Sequence, residues 1–582
     1  MLDALFVNVH RNLGNISYGW QSCLGLMSMA AFLEKNGYDC KVMNCNYYEF
    51  KNMLLNESEF LKCKLIGFYC DFDNVLEVKN LSSWIKNEWQ IPVIVGGPQS
   101  MHLDVQFFLE SKCDVVVRGE GELTIVEIVS YYLDNTGDLM SIKGISYLNQ
   151  DNMIVNEDRE AIENLDLLPI CDEKYILKAD DNLRFWVCMT GRGCPFNCSF
   201  CFEAIQTKKV RFRSVENVLK ELALKFSPKS NFDYLMFADD TFTLNTDRLQ
   251  KLCDGIKILR ENKDFVWFCE GHVKTLLKHP EMIDYMVDSG MVRLQLGIES
   301  GNSNVLVAYN KGCTPEDIIQ LIKICKDKGV TSVYGNIILG SAFFSKETYE
   351  QDLKFAEELI RLGKGMVELA VVYYWPLAGT KMTNYPTQFG IVIEDKDFVT
   401  AMMDLPQTST KEFDLWSIQS MGYKFKQHLN NVVLGMVKNN DINRDTILNW
   451  YKIRRKYKTG ISLWLELIKC YGEMDRYYEL TASGDAEFGE NLSVSEILTK
   501  HPMRLISLID QFDGEKIKNI LYEELVLDTL DMEILRYSFG KLKTTEIIER
   551  ICKNYNNYDL HNLIITKLLD LEKHYLIAFG KF

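Results

Sequence analysis

The chain has 582 residues, 47% hydrophobic and 25% charged, with a formal net charge of −16. That length exceeds what one core can bury and predicts two to four domains, while the acidic balance excludes the basic footprint of a nucleic-acid-binding surface. No apolar run reaches the length of a membrane span, the longest near the start being Cys23 to Leu33, and no basic region leads into a signal-type core, so a cytoplasmic protein with reduced thiols is expected.

Residues 1 to about 140 alternate short apolar runs with helical patterns. Strands are predicted at Leu5–Val9, Cys40–Met43, Leu65–Tyr69, Val93–Val95 and Val115–Val117, and helices near Gln21–Lys35, Val75–Glu88, Leu103–Ser111 and Leu123–Leu133. Such alternation predicts a doubly wound parallel sheet of flavodoxin or Rossmann type, with ligands at the carboxyl ends of the strands. Two glycine-bearing turns sit at those ends: Gly96-Gly97-Pro98, and Arg118-Gly119-Glu120-Gly121-Glu122. This domain is assigned to residues 1–145 and a polar linker to 146–182, containing Leu165-Asp166-Leu167-Leu168-Pro169.

A second series of strands follows at Phe185–Met189, Tyr234–Ala238, Val266–Glu270, Arg293–Ile298, Ser332–Leu339 and Glu368–Tyr374. Six strands with intervening helices predict a parallel (β/α)6 partial barrel over 183–395. Beyond about residue 400 the strand signals fade. Thr446–Tyr457, Ser462–Tyr471 and Gly514–Leu530 are apolar at helical spacing, so 396–582 is predicted to be a helical domain that caps the barrel and selects substrate.

Directly after the first barrel strand comes Gly193-Cys194-Pro195-Phe196-Asn197-Cys198-Ser199-Phe200-Cys201. Of the seventeen cysteines only Cys194, Cys198 and Cys201 have ligand spacing. Three thiolates in eight residues can hold three irons of a 4Fe-4S cluster and leave the fourth open, whereas cluster irons normally take four Cys ligands. The alternatives are chance spacing or a zinc site, which would want a fourth Cys or His nearby.

CxxxCxxC with an aromatic before its last cysteine, after the first strand of such a series, resembles the radical S-adenosylmethionine (SAM) enzymes. The resemblance implies that Cys194, Cys198 and Cys201 ligate the cluster, that SAM chelates its open iron, and that the Phe200 backbone lies near adenine. It further implies that Asp239 or Asp240, after the second barrel strand, meets the SAM amino group, a position a helix N-cap would also explain. Gly297 would allow close backbone approach, with Glu299 and Ser300 facing the ribose or amino group, and Asn336 is placed near adenine or else is a plain strand residue. Glu270 and His272, at the end of the third barrel strand, are candidates to touch substrate or act as a base. Tyr373, Tyr374 and Trp375 are expected to pack over the site or fill the core.

The first domain, with Gly96, Gly97, Pro98, Gly119, Glu120, Gly121 and Glu122 upstream of the triplet, resembles the cobalamin-binding domain of cobalamin-dependent radical SAM enzymes, most like their C-methyltransferases. A domain that keeps the fold and binds nothing is the alternative. The loop after the first strand reads Asn8-Val9-His10-Arg11-Asn12-Leu13-Gly14, lacking the aspartate of the Asp-x-His-x-x-Gly pattern, so His10 is read as lining the lower face of cobalt rather than ligating it. The resemblance covers residues 1 to about 395. It implies a 4Fe-4S cluster, SAM and cobalamin; an electron donor such as flavodoxin or ferredoxin; and a small-molecule or peptide substrate. The activity it implies is methylation of an unactivated carbon by 5′-deoxyadenosyl radical hydrogen abstraction and methyl transfer from methylcobalamin. The alternatives are a cobalamin-dependent cyclisation, ring contraction or rearrangement, then a non-catalytic cobalamin-binding protein. A methylthiotransferase would want three further cluster cysteines in its N-terminal domain, for which the cysteines here show no matching pattern.

Overall fold

A computed structural model describes residues 2–10, 24–56, 63–177, 184–206, 209–394, 405–459, 462–506, 516–519 and 522–581. The chain divides into two compact units, one holding 1–329, 335–355 and 370–424, the other 330–334, 356–369 and 425–582.

The first sheet contains β1 (Ala4–His10), β2 (Cys40–Asn46), β3 (Ile66–Tyr69), β4 (Val93–Gly96), β5 (Val115–Val117), β6 (Ile145–Asn149) and β7 (Asn152–Val155), in the order β2-β1-β3-β4-β5-β6-β7. β1 to β5 pair in parallel and are apolar nearly throughout, as strands covered on both faces must be. β6 and β7 pair antiparallel and carry the sheet to Val155, past the boundary expected at 145. The polar Asn149–Asn152 turn, with Gln150 at φ 57°, makes this short hairpin read as loop from sequence. The helix Tyr47–Asn56 was likewise not anticipated.

Gly97 shows what the carboxyl end of this sheet demands. At φ 113° and ψ −178° it lies in a region that only glycine populates freely, and a Cβ there would stand 2.6 Å from the Cys70 carbonyl. The turn is thus pressed against the end of β3, where Cys70 N donates to Gly96 O at 2.6 Å. Asn74, buried beyond β3, donates to Val9 O and Tyr69 O and binds the neighbouring strand ends together.

The second sheet is built from β8 (Phe185–Cys188), followed by the short β9 (Gly191–Arg192) and β10 (Arg211–Phe212), then β11 (Tyr234–Phe237), β12 (Val266–Gly271), β13 (Met291–Glu299), β14 (Ser332–Leu339) and β15 (Val367–Tyr373). Its order is β15-β14-β13-β12-β11-β8, with β9 and β10 forming a separate antiparallel pair. Helices between strands are capped by side chains, Asn245 accepting from Arg248 N and Thr314 forming a capping box with Asp317. All six barrel strands fall where the sequence predicts them, and β16 (Ile391–Ile393) pairs with β17 (Thr408–Thr410) beyond them.

The C-terminal unit is rich in helices, among them Arg444–Tyr457, Leu463–Lys469, Gly472–Ser483, Thr529–Tyr537, Thr544–Tyr555 and His561–Lys573. It also holds strands β18 (Ala486–Glu487), β19 (His501–Arg504), β20 (Lys516–Asn519), β21 (Tyr522–Val526) and β22 (Ile577–Gly580), with β22 between β18 and β19. The helix expected over Gly514–Leu530 is therefore corrected to a hairpin, Lys516 opposite Val526, with the helix starting at Thr529. Short apolar runs fit both periods, and pairing decides between them.

We expect Gly97→Ala to lower unfolding stability of the cofactor-free protein by about 2–3 kcal/mol in urea titration. Gly119→Ala, also at positive φ but facing open space, should cost about 1 kcal/mol.

Candidate active site at the cysteine loop

The loop between β8 and the helix Glu203–Gln206 carries the three cysteines. Its entry is fixed by Asp239, whose two oxygens accept from Thr190 N and Thr190 Oγ1, both at 2.6 Å. Arg248 adds bonds to Thr190 O and Arg213 O. Gly193 turns the chain at φ 91°. Further on, Ser199 N donates to Tyr309 O at 2.9 Å, Met382 N donates to Ser199 O at 3.0 Å, and Asn310 Nδ2 donates to Asn197 O at 2.8 Å. Phe196 stacks on His272 at 3.7 Å between centroids, and Phe200 meets Tyr309 edge-on at 4.8 Å.

The three sulfurs are half-buried, with Cys194 Sγ 3.7 Å from Thr241 Oγ1. Burial pushes the Cys198 thiol up, opposed by the Lys311 charge, and pushes Cys201 up to about 12. Among the described residues no three His, Cys, Asp or Glu side chains close round a point that would hold a single ion. A tetrahedral zinc site needs four ligands round one metal, whereas cluster thiolates each bind a different iron and stand further apart. The donor set fits the cluster: three soft thiolate sources, on one anchored loop, at the carboxyl edge of a parallel sheet.

Carboxylates from successive strand ends crowd the same mouth. Asp240 accepts from Gly193 N, Glu270 accepts from Gln295 Nε2 at 3.0 Å, and Glu299 pairs with Lys311 at 2.9 Å. Burial lifts Glu270 to about 7, helped by the charges of Asp240 and Glu299, and lifts Glu203 to about 7, helped by Asp240. Glu299 sits at φ 63°, an unusual backbone state for a non-glycine residue. The Lys311 ammonium and Glu299 Oε1 lie in the space a Cβ at Gly297 would take, so the glycine leaves room for that ion pair. Asn336 Oδ1 is buried without a hydrogen-bond partner, an acceptor that an amino-bearing ligand would satisfy. Burial holds His272 down to about 4; its ring is neutral, in weak reach of the Lys311 backbone and without a well-formed hydrogen bond.

The geometry separates residues that the sequence leaves together. Asp239 is committed to Thr190 and shapes the loop, while Asp240 reaches the mouth. Ser300 Oγ donates to Asp352 at 2.7 Å, which together with Gly301 N on the same oxygen anchors the strand end. Lys311, Glu203, Gln295 and Asn310 were missed. None belongs to a spaced motif, and Lys311 reaches Glu299 only through the turn after the helix Ser303–Ala308.

The loops of the first sheet meet this region directly. Phe72, beyond β3, packs edge-on against Trp375, beyond β15, at 4.8 Å. His102, four residues after Pro98, lies 6.5 Å from Phe202 and against Gly379, and burial lowers its pKa. Its Nε2 and Ser100 Oγ are buried without partners, while Gly119 faces open space, so this edge offers polar groups and room that suit an amide-rich ligand such as cobalamin.

Glu120 and Glu122, expected to line cobalamin, point elsewhere. Glu120 accepts from both Arg211 nitrogens, at 2.7 and 3.0 Å, and from Ile162 N, and pairs with Arg192 at 3.3 Å. Against the upward push of burial, these arginines hold its pKa below the usual value. Glu122 accepts from Arg192 at 2.6 Å and from Ser28 at 2.8 Å. Arg192 lies two residues before Cys194, so the glutamates position the cysteine loop. A Cβ on Gly121 would stand 2.9 Å from Met29 Sδ, so that glycine serves helix packing. His10 hydrogen-bonds Asn44, and burial lowers its pKa; Arg11 to Gly14 of its loop lie outside the described residues.

Because the Glu270 pKa is raised on folding, the folded state holds its proton where the unfolded chain does not. Stability from this group is full below about 4.5 and is lost as pH rises to about 7. Between those limits the cofactor-free parent should lose about 3 kcal/mol relative to Glu270→Gln in parallel urea titrations. Equal slopes would remove the buried acid from the account.

The model of the radical SAM superfamily matches residues 189–356, and that of the B12 binding domain matches 18–129. An uncharacterised methyltransferase of Pyrococcus horikoshii is 35% identical over 279 residues, 46% of this chain and 58% of that protein. The anaerobic magnesium-protoporphyrin IX monomethyl ester cyclase of Rubrivivax gelatinosus is 25% identical over 297 residues, 50% of this chain and 52% of that one. The chain thus spans little more than half the length of these curated relatives. The cobalamin-dependent SAM radical enzyme OxsB, solved with aqua-cobalamin and SAM, aligns over 98% of this chain and 80% of its own with a TM-score of 0.56 at 15% identity, a likeness of fold. Both domain models lie in order on one chain, with the cysteine loop inside the second match, so the chain carries a B12 binding domain followed by a radical SAM domain.

Proposed function

We propose that this enzyme methylates an unactivated carbon of a small-molecule or peptide substrate. The observation that carries the reading is the ionic junction of Glu120 and Glu122 with Arg192 and Arg211, which brings the loops of the first domain onto the cysteine loop. One reaction space between two cofactors is what radical formation followed by methyl transfer requires. When bound, the cofactors supply a 5′-deoxyadenosyl radical and a methyl group.

In this reading Cys194, Cys198 and Cys201 hold the cluster. Asp240 and the Glu299–Lys311 pair orient the charged end of SAM, the Phe200 backbone and Asn336 meet its adenine, and Gly297 gives room. Gly96, Gly97, Pro98 and Gly119 form the cobalamin edge, with His10 beneath it as a non-ligand. Glu270, near 7, can hold or release a proton at neutral pH, while neutral His272 packed on Phe196 brings no charge to a radical site. Residues 396–582 are assigned to substrate selection, and an external flavodoxin or ferredoxin to reduction in the cytoplasm. The Rubrivivax cyclase favours one second reading, a cobalamin-dependent cyclisation or rearrangement without net methylation.

Anaerobic reconstitution of the parent should load about one four-iron cluster per chain, with cobalamin, and Cys198→Ala should lose most of that iron. Equal iron and sulfide in both would remove Cys198 from the ligand set. With SAM labelled in its methyl group, mass spectrometry of the turned-over substrate should show the label. Loss of hydrogens without label would move the assignment to cyclisation.

A further inference from the structure

The cysteine loop has two sides. Its inner side carries the contacts to Thr241, His272 and Lys311. Its outer side forms one wall of an open depression of about 900 Å³, to which Asn197 and Ser199 contribute from between the cysteines. The other walls include Asn304 and Val307 on the helix Ser303–Ala308, Phe343 beyond β14, and Lys381.

Three properties of this depression converge. First, it is wired to the triplet: Asn310 bonds the Asn197 carbonyl, and Ser199 is bonded through N to Tyr309 and through O to Met382, so its walls are one short covalent or hydrogen-bonded step from Cys198. Second, it is nearly neutral on a chain of net charge −16, its lining holding one lysine, Lys381, and one glutamate, Glu347. Third, it exposes apolar surface with no cover, Val307 at 78% and Phe343 at 46%, the latter held at φ 53° with its N–H bonded to Phe389 O at 2.8 Å. A wide mouth with amides and two exposed apolar side chains suits a brief protein encounter, since weak electron-transfer interfaces are small.

Resting on the reading that the triplet holds a cluster, we propose that this depression docks the one-electron protein carrier that reduces it. The carrier gives up one electron and is oxidised by one unit; the cluster held by Cys194, Cys198 and Cys201 takes that electron through the loop backbone, and no bond is made or broken. A low-potential carrier of flavodoxin type is itself acidic, and on a strongly acidic enzyme a neutral patch is where like-charge repulsion is least.

The test uses the reconstituted full chain, with reduced flavodoxin and dithionite as alternative electron sources and loss of cluster absorbance as the readout. Binding of flavodoxin to the cofactor-free protein is measured in parallel by titration calorimetry. The variants are Val307→Glu with Asn304→Asp, which adds two negative charges at exposed positions, and Val307→Lys, which adds a positive one. Reduction by flavodoxin should slow about tenfold in the acidic double variant and not slow in Val307→Lys, with binding moving in the same sense and dithionite rates within about twofold of the parent. Flavodoxin rates and binding unchanged in both variants would overturn the docking site while leaving the cluster intact. Failure of dithionite to bleach even the parent would overturn the cluster reading, and the docking site with it.

Discussion

The arrangement depends on a buried ionic junction. Glu120 and Glu122, at the carboxyl edge of the first sheet, face Arg192 and Arg211, which flank the cysteine loop on the paired strands β9 and β10. Burying such charges is expensive, and a well-packed apolar substitute would often be as stable. What an apolar contact lacks is direction. Two carboxylates shared among two planar guanidinium forks specify one register of loop against domain, and bidentate geometry makes a shift of even one bond costly. The loop that must present three sulfurs is thereby referenced to the domain that must present the second cofactor.

A second constraint acts at the barrel mouth, where Glu203, Asp240, Glu270 and Glu299 stand with Lys311 as counter-charge. Burial and mutual repulsion both disfavour ionisation, which is why Glu203 and Glu270 rise toward neutrality while Glu299, paired with Lys311, keeps a partner. Groups that are uncomfortable alone become complementary when a cationic ligand arrives. The positive φ of Glu299 points the same way, for backbone strain of this kind persists only where surroundings over-determine it.

Much of this was readable in the chain. The parallel strands are apolar runs bounded by helices, so both series could be placed, most within a residue or two although β2 runs three residues past its expected end at Met43, and the cysteine spacing announced its own chemistry. What could not be read was partnership. Glu120 and Glu122 sit in a glycine-rich turn at a ligand-binding edge, and nothing local shows that arginines some 70 and 90 residues later will take their carboxylates. Asp239 and Asp240 are adjacent and alike, and only the alternation of a strand end sends one to Thr190 and the other to the mouth. The hairpin of β6 and β7 and that of β20 and β21 were lost because short strands take their identity from pairing, which a single sequence does not display.

The two faces of the cysteine loop follow from the same economy of backbone. A loop that carries three thiols has few side chains left with which to anchor itself, so its own amides must do it: Ser199 through both N–H and carbonyl, and Asn197 through its carbonyl. Those bonds run to Tyr309 and Met382, both buried, and to Asn310 at the wall of the depression. The hydrogen bond from Asn310 that helps hold the loop still thus also ties its backbone to the wall of the open depression.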